Sequence, residues 1–156
     1  MRAFRLMRAR YAAAALEGEG ARRYGGRWNP VGIPLVYCSS SLALAVLELL
    51  VHVDPRDVPD DLVAIQVELG EAAVRTLAPS DLPADWLDDS GTAALREAGA
   101  AWTREDPASS GAVLRVPSVI VPEESNLLLN PRHPGSAGFS IVKQSPFRLD
   151  PRLFRS

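Results

Sequence analysis

Glu48 is the residue whose type and surroundings most clearly call for a chemical role. It lies in segment 42–53, Leu-Ala-Leu-Ala-Val-Leu-Glu-Leu-Leu-Val-His-Val, which is apolar apart from Glu48 and His52. A helix that is apolar on every side is usually buried, and an unpartnered carboxylate is unfavourable in a buried position. Glu48 therefore needs a cationic partner, a wet cleft, or both. His52 lies one turn further along the same face, where a hydrogen-bonded position at the helix end explains it without catalysis.

Arg27 is the second candidate, and it belongs to the segment 25–30, Gly-Gly-Arg-Trp-Asn-Pro. The two glycines let the backbone approach a ligand, and a guanidinium binds phosphate or carboxylate with two parallel hydrogen bonds. A plain surface turn explains the same residues equally well. Tyr37 ends an apolar run, where it is either a core residue or a platform for a ligand ring.

Ser118 places a hydroxyl inside the apolar segment 116–122, Val-Pro-Ser-Val-Ile-Val-Pro. A hydrogen bond to a backbone carbonyl would satisfy this hydroxyl structurally. The sequence has no base placed to activate Ser118 and no nucleophile elbow, so a serine hydrolase is not supported.

Composition narrows the function classes further. The 156 residues correspond to one domain, and a hydrophobic fraction of 47% with a net charge of −2 excludes a disordered chain. With seventeen basic and nineteen acidic residues, the chain lacks the net positive charge that is typical of general nucleic-acid-binding proteins. Arginines do cluster within residues 1–27, where they suit an anionic small molecule. The single cysteine, Cys38, excludes a disulfide within the chain and a cysteine-based zinc site, so no metal is expected. Without a membrane span or secretion signal, we expect a cytoplasmic location.

The elements that must position these residues alternate between strands and helices, which predicts one α+β domain over residues 1–156. Hydrophobic patterns and turn residues predict strands at 3–6, 33–38, 62–69, 113–121 and 139–143, the fourth bent by Pro117. They predict an Ala-rich turn or helix at 12–16 and helices at 42–53 and 92–103, with loops at 17–26, 79–89 and 108–111 and an irregular segment at 126–134. Ser39, Ser40 and Ser41 are alternative N-caps of the helix at 42–53, and Asp54-Pro55 is expected to end it.

Together these motifs resemble the RES domain, named for an Arg, a Glu and a Ser, which is the toxin of bacterial RES–Xre toxin–antitoxin pairs. The resemblance covers nearly the whole chain and keeps the family's order and spacing. Its residues are Gly-Gly-Arg-Trp-Asn-Pro at 25–30, Tyr37 before Cys-Ser-Ser, Glu48 in its Leu/Ala helix, Pro117-Ser118, and Asn-Leu-Leu-Leu-Asn-Pro-Arg-His-Pro at 126–134.

The resemblance implies a fold similar to diphtheria-toxin-like ADP-ribosyltransferases, with small mixed or antiparallel sheets and flanking helices. It also implies cleavage of the nicotinamide–ribose bond of NAD, which is a substrate here. The implied catalytic residues are Arg27, Glu48 and Ser118, with Tyr37 as the associated aromatic residue. The further positions implied to face NAD are Arg5 in the opening strand, Trp28 and Asn29, while Asn130 matches a motif position without an assigned role.

The residue types suit this chemistry. Loss of nicotinamide passes through an oxocarbenium-like ribose, which a desolvated Glu48 carboxylate would stabilise. Tyr37 would stack on the nicotinamide ring, and Arg27 would hold the diphosphate. Ser118 would orient a ribose or the nicotinamide amide by a hydrogen bond. Nicotinamide is a good leaving group that departs without a general acid, so a single carboxylate is sufficient for this reaction.

The acceptor of the ADP-ribosyl group stays open between phosphate, water and a protein side chain. Phosphorolysis needs a second anion site, for which Arg5, Arg22 and Arg23 are candidates. A protein ADP-ribosyltransferase would carry a target-docking loop, at 79–89 or 104–111. A non-enzymatic binding module, the remaining alternative, would use Arg27 and Glu48 as a structural ion pair.

The resemblance also implies a protein partner. This is an Xre-type antitoxin that covers the NAD cleft, so we expect an exposed apolar or basic rim around the cleft. DNA binding would then belong to the antitoxin, in keeping with the acidic balance of this chain.

Overall fold

Seven strands form one mixed sheet in the order β4-β5-β6-β2-β1-β3-β7 in the computed structural model, which describes residues 1–54 and 56–154. Neighbouring strands are antiparallel except β4 and β5, which are parallel. This confirms the predicted α+β class. The strands are β1 (Arg2–Arg8), β2 (Val36–Ser39), β3 (Leu62–Glu68), β4 (Val74–Thr76), β5 (Val113–Pro117), β6 (Ser125–Leu129) and β7 (Ser140–Phe147).

Short helices flank the sheet. The α-helices are α1 (Glu19–Tyr24), α2 (Leu42–Leu50), α3 (Thr92–Arg104) and α4 (Pro107–Ser110), and 3-10 helices cover Ala9–Ala14, Pro79–Asp81, Pro134–Gly138 and Pro151–Phe154. No helix in the described ranges is long and apolar enough to cross a membrane.

The sheet consists of two halves that meet at one pair of residues. β1 pairs with β3 along its whole length, whereas β1 pairs with β2 only through Phe4 and Ser39. Away from that pair the two strands diverge, so backbone hydrogen bonds do not close the sheet there. This divergence leaves room for a cleft between the half formed by β4, β5, β6 and β2 and the half formed by β1, β3 and β7.

The core lies on both faces of the sheet, because successive strand residues point to opposite sides. Leu127 and Leu129 of β6 belong to one cluster with Ala12 and Ala15, while Leu128 belongs to the other. The second cluster contains three tryptophans and packs α3 against the sheet; its members are Trp28, Leu35, Trp86, Leu95, Trp102, Leu114, Val116 and Leu128.

Helix α2 begins as predicted but is not buried on all sides. The Ser41 hydroxyl accepts a hydrogen bond from the Leu44 amide, which confirms an N-cap among the three serines. Only Leu44 and Ala45 are buried, while Leu47 and Val51 are 39% and 58% exposed. The helix contacts the sheet on one side only, so its apolar composition did not predict burial correctly. It ends at Leu50, before Asp54, and Pro55 lies outside the described residues.

Several predicted boundaries are wrong for local reasons. The strand predicted at 113–121 ends at Pro117, because the Ser118 amide bonds the Glu124 carbonyl and the chain turns back. The segment at 126–134, predicted as irregular, contains most of β6. The segment at 17–26, predicted as a loop, contains α1. In α1, Glu19 binds both Arg22 and Arg23, and these two guanidiniums lower the pKa of Glu19 to about 2.

Candidate active site

A cavity of about 910 Å³ opens where β1 and β2 diverge. Five of the seven predicted site residues line it: Arg5, Arg27, Trp28, Tyr37 and Glu48. Asn29 and Ser118 lie behind its wall and are fully buried. The tertiary structure therefore brings together a carboxylate, an aromatic ring and arginines from β1, β2, α2 and the turn that follows α1.

Glu48 is held by hydrogen bonds to its Oε1 atom. The Ser118 hydroxyl donates to this oxygen at 2.8 Å, and the Asn126 side-chain amide donates to the same oxygen. Asn126 is fixed in turn, because the Ser39 hydroxyl donates to its Oδ1 at 2.9 Å. Within the described residues, Glu48 forms no ion pair. Its carboxylate is instead stabilised by the neutral donors Ser118 and Asn126 and by its position on an open cavity. The alternative of an Arg27–Glu48 ion pair is therefore wrong.

Ser118 acts on Glu48 rather than on the cavity. Its hydroxyl oxygen accepts hydrogen bonds from the backbone amides of Ile120 at 3.1 Å and Val121 at 3.2 Å, and its proton goes to Glu48. The structural alternative of a backbone carbonyl partner is wrong, because the acceptor is the carboxylate. With both donor and acceptor capacity in use, Ser118 orients the carboxylate.

Arg27 is loosely held at the rim of the cavity. Its Nη1 is 3.5 Å from the Asp88 carbonyl oxygen, and its Nη2 is 3.7 Å from Asp89 Oδ1. The Asp89 side chain is fully exposed, so solvent screens this pair and the contact is weak. The guanidinium of Arg27 therefore stays available for an anionic ligand.

The side chains of Tyr37 and Asn29 are hydrogen-bonded to each other beneath the turn that carries Arg27, and this pair is called the latch below. The Tyr37 hydroxyl donates to Asn29 Oδ1 at 2.7 Å and accepts from the Trp28 amide at 3.0 Å. Asn29 Nδ2 donates to three backbone carbonyls, those of Ala21, Pro30 and Ile33. Burial raises the pKa of Tyr37 to about 12, so the hydroxyl is protonated at neutral pH. Asn29 thus shapes the turn that presents Arg27.

Tyr37→Phe tests the latch. We expect it to lower the free energy of unfolding by about 1–3 kcal/mol, because the Trp28 amide and Asn29 Oδ1 lose their shared partner in a buried site. Urea denaturation measures this change. Tyr24→Phe is the matched control: Tyr24 is 81% exposed, and its loss of a hydroxyl should change stability by less than about 0.5 kcal/mol. Equal effects of the two substitutions would contradict the latch.

Arg5 and Cys38 form the inner end of the cavity. The Arg5 guanidinium donates to the Ala15 carbonyl, and burial lowers its pKa. No carboxylate in the described part of the chain pairs with it. Cys38 is 3% exposed, and burial raises the pKa of its thiol to about 11, so it is a poor nucleophile.

The cavity also contains residues to which sequence reasoning assigned no ligand role. Asn126 belongs to the motif at 126–134, and its position beside Glu48 follows from the pairing of β6 with β2. Arg96 lines the cavity from α3, and its Nε donates to the Gly26 carbonyl at 2.8 Å. No local pattern around Arg96 distinguishes it from a surface arginine. His52 lines the cavity as well.

Asn130, the motif position without an assigned role, lies away from the main cavity. Asn130 lies on a separate pocket of about 260 Å³ with Arg104 and Arg132. Its Oδ1 accepts from the Arg132 amide, which caps the end of β6. The described residues contain no group of His, Cys, Asp and Glu side chains that could hold a metal ion.

Comparison with known families identifies the chain. The family model of the RES domain matches residues 2–150, and the chain therefore belongs to the RES domain family. This confirms the resemblance inferred from the motifs.

Individual relatives cover the whole chain. It is 40% identical over 154 residues to "Toxin Res" of Yersinia enterocolitica, covering 98% of this chain and 99% of that protein. It is 38% identical over 148 residues to "Prs ADP-ribosylating toxin" of Sphingobium sp., covering 93% and 90%.

A solved structure has the same fold. It is the M. tuberculosis MbcT–MbcA toxin–antitoxin complex, in which the matching chain gives a TM-score of 0.68 at 22% identity, covering 97% of this chain and 85% of that chain. A 44-residue segment is also 48% identical to "NAD(+) phosphorylase MbcT" of M. tuberculosis, covering 26% of this chain and 24% of that protein.

Proposed function

We propose that this protein is the toxin of a toxin–antitoxin pair and that it cleaves the nicotinamide–ribose bond of NAD. The observation that carries the proposal is the Glu48 carboxylate. It lines a cavity, has neutral donors on one oxygen, and has no cationic partner among residues 1–54 and 56–154. The names of the relatives support it, since they describe toxins, an ADP-ribosylating toxin and an NAD phosphorylase.

Glu48 stabilises the charge that develops in the reaction. As the C–N bond to nicotinamide breaks, its electron pair goes to the ring nitrogen, which becomes neutral, and positive charge develops on the ribose. A fixed carboxylate stabilises that cation without a change of its own protonation. In the described chain, Ser118 and Asn126 both donate to Oε1 and nothing donates to Oε2, so Oε2 is free for the ribose.

Arg27 and Tyr37 hold the parts of NAD that lie on either side of the bond that breaks. Arg27 reaches the cavity from a turn shaped by Asn29 and binds the diphosphate by charge-assisted hydrogen bonds. The Tyr37 ring lies in the cavity wall with its hydroxyl bound to Asn29, which leaves the ring face to stack on nicotinamide. Trp28 also lines the cavity, and it is anchored in the buried cluster of three tryptophans.

Arg5 is our candidate for holding an acceptor phosphate. Of the three arginines considered for a second anion site, Arg22 and Arg23 bind Glu19 and do not line the cavity, while Arg5 does. Attack of a phosphate oxygen on C1 of the ribose yields ADP-ribose 1″-phosphate, and attack of water yields ADP-ribose. A protein side chain is the other candidate acceptor, favoured by the name of the Sphingobium relative.

The proposed partner is an antitoxin of the Xre type that covers the cavity in the cytoplasm. Leu47 directly precedes Glu48 in α2, and Val51, the C-cap residue of α2, directly precedes His52. Both are exposed, and we propose that they form an apolar rim beside the cavity. The structural neighbour is part of a toxin–antitoxin complex, which supports such a partner.

Purified protein and NAD provide the direct test. We expect release of nicotinamide, with ADP-ribose 1″-phosphate formed when inorganic phosphate is present, measured by chromatography and mass spectrometry. Release that begins only after addition of a cell extract would favour a protein acceptor. No release under any of these conditions, from folded protein free of antitoxin, would contradict NAD cleavage.

A further inference from the structure

Arg96 of α3 lines the cavity, and its side chain makes one hydrogen bond within the described part of the chain. It follows Thr92 by one helical turn, and both residues line the cavity. Arg96 Nε donates to the Gly26 carbonyl at 2.8 Å, the residue directly before Arg27. In the described ranges, its Nη1 and Nη2 atoms form no hydrogen bond and no carboxylate pairs with Arg96. The outer edge of the guanidinium is therefore free.

Within the described residues, Arg5 also lacks an acidic partner, but its guanidinium donates to the Ala15 carbonyl. The other arginines near the cavity or on the same helix lie close to carboxylates. Arg22 and Arg23 share Glu19, and Arg104, in the last turn of α3, pairs with Glu97. Arg27 has Asp89 within 3.7 Å. A guanidinium that lines a cavity and lacks an acidic partner is suited to binding an anionic group of a ligand, because two of its N–H groups can donate parallel hydrogen bonds to that group.

We propose that Arg96 is a second substrate-binding arginine, which holds the diphosphate of a dinucleotide together with Arg27. The proposal rests on the proposed function, because it assumes that the cavity takes NAD. The Nε tether to Gly26 links the two arginines, since it fixes Arg96 to the residue that precedes Arg27. Arg96 also acts electrostatically on Tyr37, where its positive charge opposes the raised pKa of the hydroxyl. These contacts place Arg96 on the side of the cavity that carries both Arg27 and Tyr37.

A purely structural role would have a different signature. If Arg96 only tethers the Gly26 carbonyl, its loss alters the shape of the turn and weakens ligand binding at every salt concentration alike. If its charge contacts the diphosphate, its loss weakens binding most at low salt, where screening is weak, and reduces the salt dependence of the affinity.

Calorimetric titration of NAD distinguishes these roles when every protein compared, including the one that is wild type at position 96, also carries Glu48→Gln, so that NAD is bound but not consumed. We expect Arg96→Gln to raise the Kd for NAD about tenfold to a hundredfold at about 0.05 M salt, as for a lost charged hydrogen bond. At about 0.5 M salt, the difference from wild type should shrink to a few-fold, and Arg96→Lys should recover part of the affinity. Arg104→Gln, a matched substitution on the same helix but outside this cavity, should leave the Kd within about twofold of wild type.

An effect of Arg96→Gln that is equal at both salt concentrations, or no larger than that of Arg104→Gln, would overturn the proposal. Wild-type protein that binds NAD but releases no nicotinamide would contradict the proposed reaction, while the Kd values would still decide the role of Arg96. Wild-type protein that binds no NAD at either salt concentration would overturn both.

Discussion

Glu48→Gln is expected to lower the rate of nicotinamide release at least about a hundredfold, the effect of removing a fixed electrostatic group from a transition state. The substitution keeps the shape of the side chain. A glutamine Oε1 still accepts from Ser118 and Asn126, so the contacts that hold the residue in place survive. The melting temperature should therefore change little, and steady-state kinetics with NAD should assign the loss to the catalytic step.

Glu123→Gln provides the matched control for Glu48→Gln. Glu123 is exposed and does not line the cavity, so the same chemical change should leave both activity and stability close to wild type. Full activity in folded Glu48→Gln protein would remove the carboxylate from the mechanism. A large fall in melting temperature would instead show that the charge of Glu48 supports the fold.

Gly99→Ala is expected to destabilise the protein by at least about 3 kcal/mol, because the site has no room for a methyl group. Gly99 is buried in α3, and an added Cβ would lie 1.9 Å from the carbonyl oxygen of Trp28. That oxygen belongs to the backbone, and the Trp28 amide is bound to the Tyr37 hydroxyl, so the turn cannot move freely. Helix α3 would have to shift away from the turn that carries Arg27. We therefore expect stability and nicotinamide release to fall together.

Gly20→Ala is the comparison for Gly99→Ala. Gly20 lies in α1, and a Cβ added there would meet no atom within 4 Å. Alanine is the better helix former, so the substitution should be neutral or stabilising by up to about 1 kcal/mol. Urea denaturation of both variants measures the contrast. Equal stability of Gly99→Ala and Gly20→Ala would contradict the close contact between α3 and the Arg27 turn.

Sequence reasoning identified the chemical groups of the site better than it identified their partners. Arg27, Tyr37 and Glu48 were recognised from their residue types and motif order, and all three line one cavity. Ser118 is recognised too, and its hydroxyl donates to Glu48, a partner that its sequence surroundings do not indicate. The side chain of Asn29 fixes the backbone of the turn. Contact of either residue with NAD stays a prediction.

The sequence by itself determined the α+β class, the family and the N-cap of α2, and it supplied the residues that we propose for the chemistry, because these depend on residue type and short spacing. Only the tertiary structure decided which groups meet. Ser118 and Asn126 are 70 and 78 residues from Glu48, and they reach it because β6 pairs with β2 and the chain turns back after Pro117. The exposure of α2 and the cleft between β1 and β2 were decided in the same way. Both depend on which surfaces of the folded chain remain uncovered, and local hydrophobicity carries no information about that.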